Sequence, residues 1–245
     1  MSETIEIMNL LQSKQVLKHK LSSLIYGSVE IREKGDNKYI YFAKRQLVDT
    51  IYKQAILEGV ATTYADTENI IEGGKVNNMT SEDVMKIINL KHAWEFILNK
   101  NVIMSETNFA LLCEINKLVQ EGFYISAGKI RNVPVSIGGT SWKPDFPIEA
   151  TIKEELNMIL NSEKEEIDKS IELLLYTMKK QIYLDGNKRT AVIFSNHYLI
   201  SKGKGIISIP AELTDKFKEL LITYYEGKDE LKIKEFLKNE CYINI

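Results

Sequence analysis

Gln181-Ile182-Tyr183-Leu184-Asp185-Gly186-Asn187-Lys188-Arg189-Thr190 decides how the rest of the chain is read. It lies between two amphipathic stretches, and Asp185-Gly186-Asn187 interrupts them with residues that favour turns and left-handed backbone. The loop therefore ends in a helix N-terminus carrying Asn187, Lys188, Arg189 and Thr190. Unbonded backbone N–H groups, the positive end of the helix dipole and two cationic side chains converge there. Such a point holds a polyphosphate, and Asp185 beside it is placed to hold the metal that a phosphate carries. The same residues also spell an ordinary interhelical turn followed by solvated charge, so spacing alone leaves both readings open. The loop is not a Walker A loop, because the chain contains no Gly-x-x-x-x-Gly-Lys-Ser/Thr.

On either side the apolar residues recur at helical spacing. Ile167, Ile171, Leu174, Leu175, Met178 and Ile182 form a stripe before the loop, and Ala191, Phe194, Ser195, Tyr198 and Leu199 continue after it as far as Gly203. Working outward, helices are predicted over 44–57, from the Thr80 cap to Ile97, over 105–120, 151–161, 213–224 and 231–237, with a looser one at 4–24. Residues 61–74 read as a short helix stopped by Gly73-Gly74, which places the like charges of Glu68 and Glu72 four apart. Two stretches break the helical pattern. Val29–Arg32 and Tyr39–Phe42 flank Gly35-Asp36-Asn37 and predict a small hairpin. Ile130–Ile137 alternates between glycines and prolines and predicts an extended flap, with Pro134 confining it to an edge. Ile130, Val133 and Val135 on such an edge suit an incoming peptide, and a mere connecting hairpin is the alternative. The expected fold class is mainly α: one domain over 1–245, a helical bundle with a small β-hairpin flap and a second, N-terminal hairpin. Its parts are an N-terminal region at 1–100 and a core at 101–245 that contains the flap at 124–147 and the motif at 181–192.

Composition bounds the function. The net charge of −2 over 245 residues gives no global electrostatic case for nucleic acid or an anionic membrane, so any anion site must be local. Cys113 and Cys241 suggest neither a disulfide framework nor a zinc site, and Cys113 in its apolar pattern reads as a buried thiol. The first residues lack a basic stretch followed by an apolar one, and no apolar run reaches membrane-spanning length, so a cytoplasmic protein is expected.

The stretch Gln181–Thr190 resembles the signature of the Fic/Doc (Fido) family, His-Pro-Phe-x-Asp/Glu-Gly-Asn-Gly/Lys-Arg-Thr-x-Arg. Asp185, Gly186, Asn187, Lys188, Arg189 and Thr190 match it, Tyr183 stands in the Phe slot, and Lys188 is more like the Doc branch. Ala127–Gly139 is similar to the family's flap, and the likeness runs in order over roughly residues 50 to 240. The resemblance implies a helical fold whose loop grips a nucleotide such as ATP with magnesium. It also implies transfer of AMP, or another phosphate-containing group, to a hydroxyl of a protein target docked on the flap. By position, Asp185 would bind the magnesium, and Gly186, Asn187, Lys188 and Arg189 the phosphates. A homo-oligomer is left open.

Two slots depart from the pattern. The family's general-base His is Gln181 here, and an amide has no accessible basic pKa; losing a positioned base removes about 10²–10⁴ in rate. His19 and His92 are remote in sequence, and His197 lies about 12 Å along the helix from Arg189. The family's second Arg is Val192. Ile71-Glu72-Gly73 is similar to the end of the family's inhibitory helix, with Glu68 in its Ser/Thr slot. That makes Glu72 a candidate inhibitory residue whose usual partner is missing, with Arg189 as the substitute. The alternative to a slow transferase is a catalytically inactive nucleotide-binding or interaction module of the same fold.

Overall fold

The structure, a computed structural model, describes residues 38–244. The helix expected at 4–24 and the first arm of the N-terminal hairpin lie outside them. The helices are α1 (Lys38–Arg45), α2 (Leu47–Leu57), α3 (Tyr64–Ile71), α4 (Ser81–Ile97), α5 (Lys100–Ile103), α6 (Phe109–Val119), α7 (Glu149–Leu160), α8 (Glu166–Lys180), α9 (Asn187–Ser201), α10 (Thr214–Tyr225) and α11 (Glu230–Phe236). A 3-10 turn precedes α10, and a π-type turn, Leu237–Cys241, extends α11. The one sheet among the described residues is a two-stranded antiparallel pair, β1 (Ile206–Ile207) with β2 (Tyr242–Ile243), in the register Ile206↔Ile243.

The predicted Thr80 cap holds, and the structure adds a second at Thr63. Thr80 Oγ1 accepts from Asp83 N at 3.1 Å to open α4, and Thr63 does the same for α3 through Asp66 N. The 105–120 segment becomes helical only at Phe109, because Asn108 Oδ1 accepts from Leu111 N at 3.0 Å and caps the helix there.

α9 is the central element. All but two of its residues are buried, so it is enclosed on every side rather than on one stripe. Several of its polar residues bond to neighbouring elements. Ser195 accepts at its carbonyl from Ser170 Oγ of α8 (2.9 Å), and Asn196 brackets Ile207 by donating to its carbonyl and accepting from its N–H, both at 2.8 Å. These contacts fix α9 between α8 and β1 and so position its N-terminal loop.

Two expectations are corrected. Tyr39–Phe42 is helical, within α1: Tyr39 and Ala43, one turn apart, bury one face, and the aromatic run only imitates a strand. The flap is extended without an inter-strand ladder. Its one backbone link to the motif is Arg131 N donating to Ile182 O at 3.0 Å. Alternation was present, but no partner strand lies opposite it.

Replacing Asn196 by Ala strands the buried N–H and C=O of Ile207. We expect a loss of about 2 kcal/mol or more in urea unfolding, with an unchanged denaturant slope.

Candidate anion-binding site

Gln181, the residue after α8, adopts left-handed backbone (φ 46°), the one non-glycine to do so among the described residues. Its surroundings stabilise that conformation. Arg131, 5% exposed, donates from Nε to Gln181 O at 2.6 Å, and from its other nitrogens to Val133 O (2.9 Å) and Asp145 O (2.5 Å). One buried guanidinium thus pins the flap to the motif loop. Gln181 Nε2 donates to Met178 O at 2.6 Å, capping the end of α8, and Gln181 Oε1 accepts from Asn187 Nδ2 at 3.1 Å. Both ends of the amide are therefore used within the fold.

The chain reverses at Gly186 (φ 75°), where a Cβ would lie 2.4 Å from Gln120 Nε2. The first intrahelical bond of α9 is Thr190 N to Gly186 O at 2.9 Å, so the N–H groups of Asn187, Lys188 and Arg189 precede the ladder. The Asn187 side chain is spent on the loop itself: it accepts from Tyr183 N (3.0 Å) and donates to Tyr183 O (2.8 Å). From α6, Asn116 donates to Asp185 O and Thr190 Oγ1, both at 3.1 Å, and Gln120 Nε2 donates to Asp185 Oδ2 at 3.1 Å.

Arg189 is 2% exposed and sits between two carboxylates. Its Nε is 3.1 Å from Glu58 Oε2 and its Nη2 3.0 Å from Asp185 Oδ2. Lys188 Nζ lies 3.4 Å from Glu58 Oε1. Gln54, one turn before Glu58 on α2, donates to Arg189 O at 2.8 Å and accepts from Trp94 Nε1 at 2.9 Å. Burial alone would raise the Asp185 carboxyl; the Arg189 charge, the Gly186 N–H and Gln120 outweigh it and hold it below its ordinary value. A cavity of about 380 Å³ opens over this loop, lined by Glu58, Val135, Asp185, Gly186, Lys188 and Lys218, among others. Lys218 of α10 makes no ion pair among the described residues and adds a second cation, after Lys188, to the cavity wall.

The structure therefore brings together Gln181, Asp185, Gly186, Asn187, Lys188 and Arg189, and lays Val135 against them. Val133 is solvent-exposed and Ile130 half-buried outside the cavity. Glu72 is exposed at the C-terminal end of α3, and the carboxylates on Arg189 are Glu58 and Asp185 instead. Val192 is buried against α2. Glu58, Gln120, Asn116 and Lys218 were missed from the sequence, where each looks like an ordinary helical polar residue.

His197 is not a displaced base. Its Nε2 lies 2.9 Å from Val102 O, which can only accept, so Nδ1 accepts from Thr107 Oγ1 at 2.9 Å. Burial pushes its pKa down, against the opposing effect of the Val102 carbonyl. Cys113 is half-buried rather than fully so; burial raises its thiol pKa, and its sulfur accepts from Tyr183 OH at 3.4 Å.

Comparison with known proteins agrees with this architecture. Residues 106–199 match the model of the Fic/DOC family. A Fic domain containing signaling protein from Bacteroides thetaiotaomicron is similar over 87% of both chains, with a TM-score of 0.65 and 17% identity. A fragment of Fic-1 from C. elegans is similar over 93% of this chain and 70% of its own, with a TM-score of 0.66 and 16% identity. A Fic family protein from Desulfovibrio desulfuricans is similar over 79% and 62%, with a TM-score of 0.65 and 14% identity. No curated relative matches the chain. The segment 106–199 is thus similar to the Fic/DOC family, and the helical fold of the chain is that of these Fic-domain structures.

Two outcomes are expected. Gly186→Ala combines a left-handed backbone with a clash on Gln120, and lowers stability by about 1–3 kcal/mol in denaturant unfolding. For His197 the folded pKa lies below the unfolded value of about 6.5, so its contribution is complete above that pH and is lost as pH falls through the folded value. The melting temperature then declines below about pH 6.5, and His197→Gln removes that part of the decline.

Proposed function

We propose that the chain binds a nucleoside polyphosphate at the Asp185–Arg189 loop and transfers a phosphate-containing group to a hydroxyl of a protein segment laid along Val135 and its neighbours. The observation that carries this reading is the convergence of Lys188, Lys218, Asp185 and the N-terminus of α9 on one cavity walled by the flap. Its supports are the family match and the charge pattern, with the binding roles distributed as follows. Lys188, Lys218 and the leading N–H groups of α9 hold phosphate oxygens. Asn187 closes the loop, and Arg189 orients Asp185. Magnesium fits the donor set: Asp185 is a single half-exposed carboxylate facing the cavity, and magnesium favours one or two carboxylates completed by phosphate oxygens and water. Such an ion supplies charge neutralisation of the phosphates. Among the described residues no group of three or more His, Cys, Asp or Glu side chains converges to hold a metal without them.

In the transfer, the target hydroxyl oxygen bonds to phosphorus as the bridging P–O bond breaks, the remainder of the phosphate chain leaves with the bond's electron pair, and the hydroxyl proton passes to solvent water. Gln181 has no basicity to take it, so the reaction is slow by about 10²–10⁴ relative to a positioned base. A second reading, a nucleotide-binding module without chemistry, is favoured by the engagement of both ends of the Gln181 amide within the fold. Labelled ATP with magnesium separates the two. Slow label transfer by the wild type, raised about 10²-fold or more in Gln181→His, supports the transferase. Transfer by Gln181→His alone supports the binding module, and transfer by neither contradicts the transferase reading.

A further inference from the structure

A second cavity, of about 500 Å³, lies at the C-terminal end of α9, roughly 20 Å along the helix from the motif loop. Its walls come from the segment 103–108 between α5 and α6, the end of α7, the start of α8 and the end of α9. What is left unbonded on those walls decides what the cavity can hold. The hydroxyls are spent inside the fold: Ser105 Oγ donates to Val102 O and Ser201 Oγ to Tyr198 O, each at 2.7 Å, and Tyr198 OH bonds to Glu166. The carboxamides are not. Asn157 of α7 makes no side-chain hydrogen bond among the described residues. Asn161, the C-cap of α7, spends Nδ2 on Asn157 O at 2.9 Å and keeps Oδ1. Asn108 spends Oδ1 on Leu111 N at 3.0 Å and keeps Nδ2. The charges divide in the same way. Glu166 and Lys169 face each other at 3.9 Å, whereas Glu106 and Lys202 are exposed and form no ion pair among the described residues. Two carboxylates thus stand against two ammoniums, and one of each sign is unengaged.

We propose that this cavity holds an extended peptide segment of a partner protein, one that carries both an acidic and a basic side chain. Asn157 and Asn161 lie four residues apart, on one face of the helix and about 6 Å along it. An extended chain turns an N–H and a C=O to the same side every second residue, a repeat of about 6.6–6.8 Å. Each carboxamide offers a donor and an acceptor, so a row of them at this spacing matches the polar groups of a peptide backbone. Side chains then supply the selection: a basic one meets Glu106 and an acidic one meets Lys202, whose ammonium also lies over the Tyr198 ring at 5.5 Å. Met104, 80% exposed on the same wall, adds a flexible apolar contact. A polyphosphate is disfavoured here, because Glu106 and Glu166 oppose it. A single amino acid would leave part of the carboxamide row unpaired. The inference is independent of the phosphate-binding reading, since no residue of the motif loop lines this cavity.

The test is selection of a displayed library of random heptapeptides on the full chain, followed by affinity measurements on the selected peptides with the wild type, Asn157→Ala and Lys202→Glu. Both side chains are exposed, so the variants are expected to fold. The selected peptides are expected to carry at least one acidic and one basic residue, and to bind Asn157→Ala and Lys202→Glu about tenfold more weakly or worse. Replacing the peptide's acidic residue by lysine is expected to restore affinity for Lys202→Glu, which a merely structural role of Lys202 would not do. Failure to select any peptide overturns the proposal. So does equal affinity for the wild type and both variants, or displacement of the peptides by millimolar free lysine or glutamate. Nuclear magnetic resonance on the wild type gives a check that needs no variant. The side-chain amide signals of Asn157 and Asn161 are expected to shift on saturation with a selected peptide, and unmoved signals contradict the proposal.

Discussion

The buried Arg189 guanidinium is the constraint on which the rest of the molecule depends. At 2% exposure a charge is tolerated only with partners, and the partners come from two separate parts of the chain: Glu58 at the end of α2 and Asp185 in the motif loop. Gln54 adds a bond to the Arg189 carbonyl. Because α9 is enclosed on all sides, the position of this one side chain fixes where α2, the loop and the central helix meet. Removing either carboxylate leaves a buried positive charge incompletely paired, which costs more than the pair contributes.

A second buried cation performs the matching task on the other side of the loop. Arg131 bonds to the carbonyls of Gln181, Val133 and Asp145, and so ties the flap to the turn that begins the motif. The flap therefore needs no ladder of its own. The cavity over the loop has Lys188 and Lys218 on its wall. The deeply buried arginines tie the loop to its surroundings, and the more accessible lysines line the cavity.

Much of the helical fold was legible. The stripes of α4, α6, α8 and α10 are regular, and Thr80 marks a helix start by its capping chemistry. The loop at Asp185–Thr190 was legible as a helix N-terminus with turn residues before it, and its family resemblance lay on the same residues. What was hidden is tertiary. Glu58 and Arg189 are 131 residues apart, and no local spacing links them. Gln120 and Lys218 likewise gain their meaning only when α6 and α10 close on the loop. The aromatic run of α1 misled because its strand-like composition is overridden by burial of one helical face, and the flap because alternation does not supply a partner strand. Asn187 and Arg189, expected to hold phosphates, also make internal contacts that their residue types did not reveal.

The central claim is that Lys188 and the start of α9 form an anion site for a polyphosphate. The most direct measurement is equilibrium binding of ATP with magnesium to the wild type and to Lys188→Ala, each verified as folded. One saturable site is predicted in the wild type, weakened about tenfold or more in the variant. Absence of binding by the wild type, or equal affinity in the two proteins, would contradict the account.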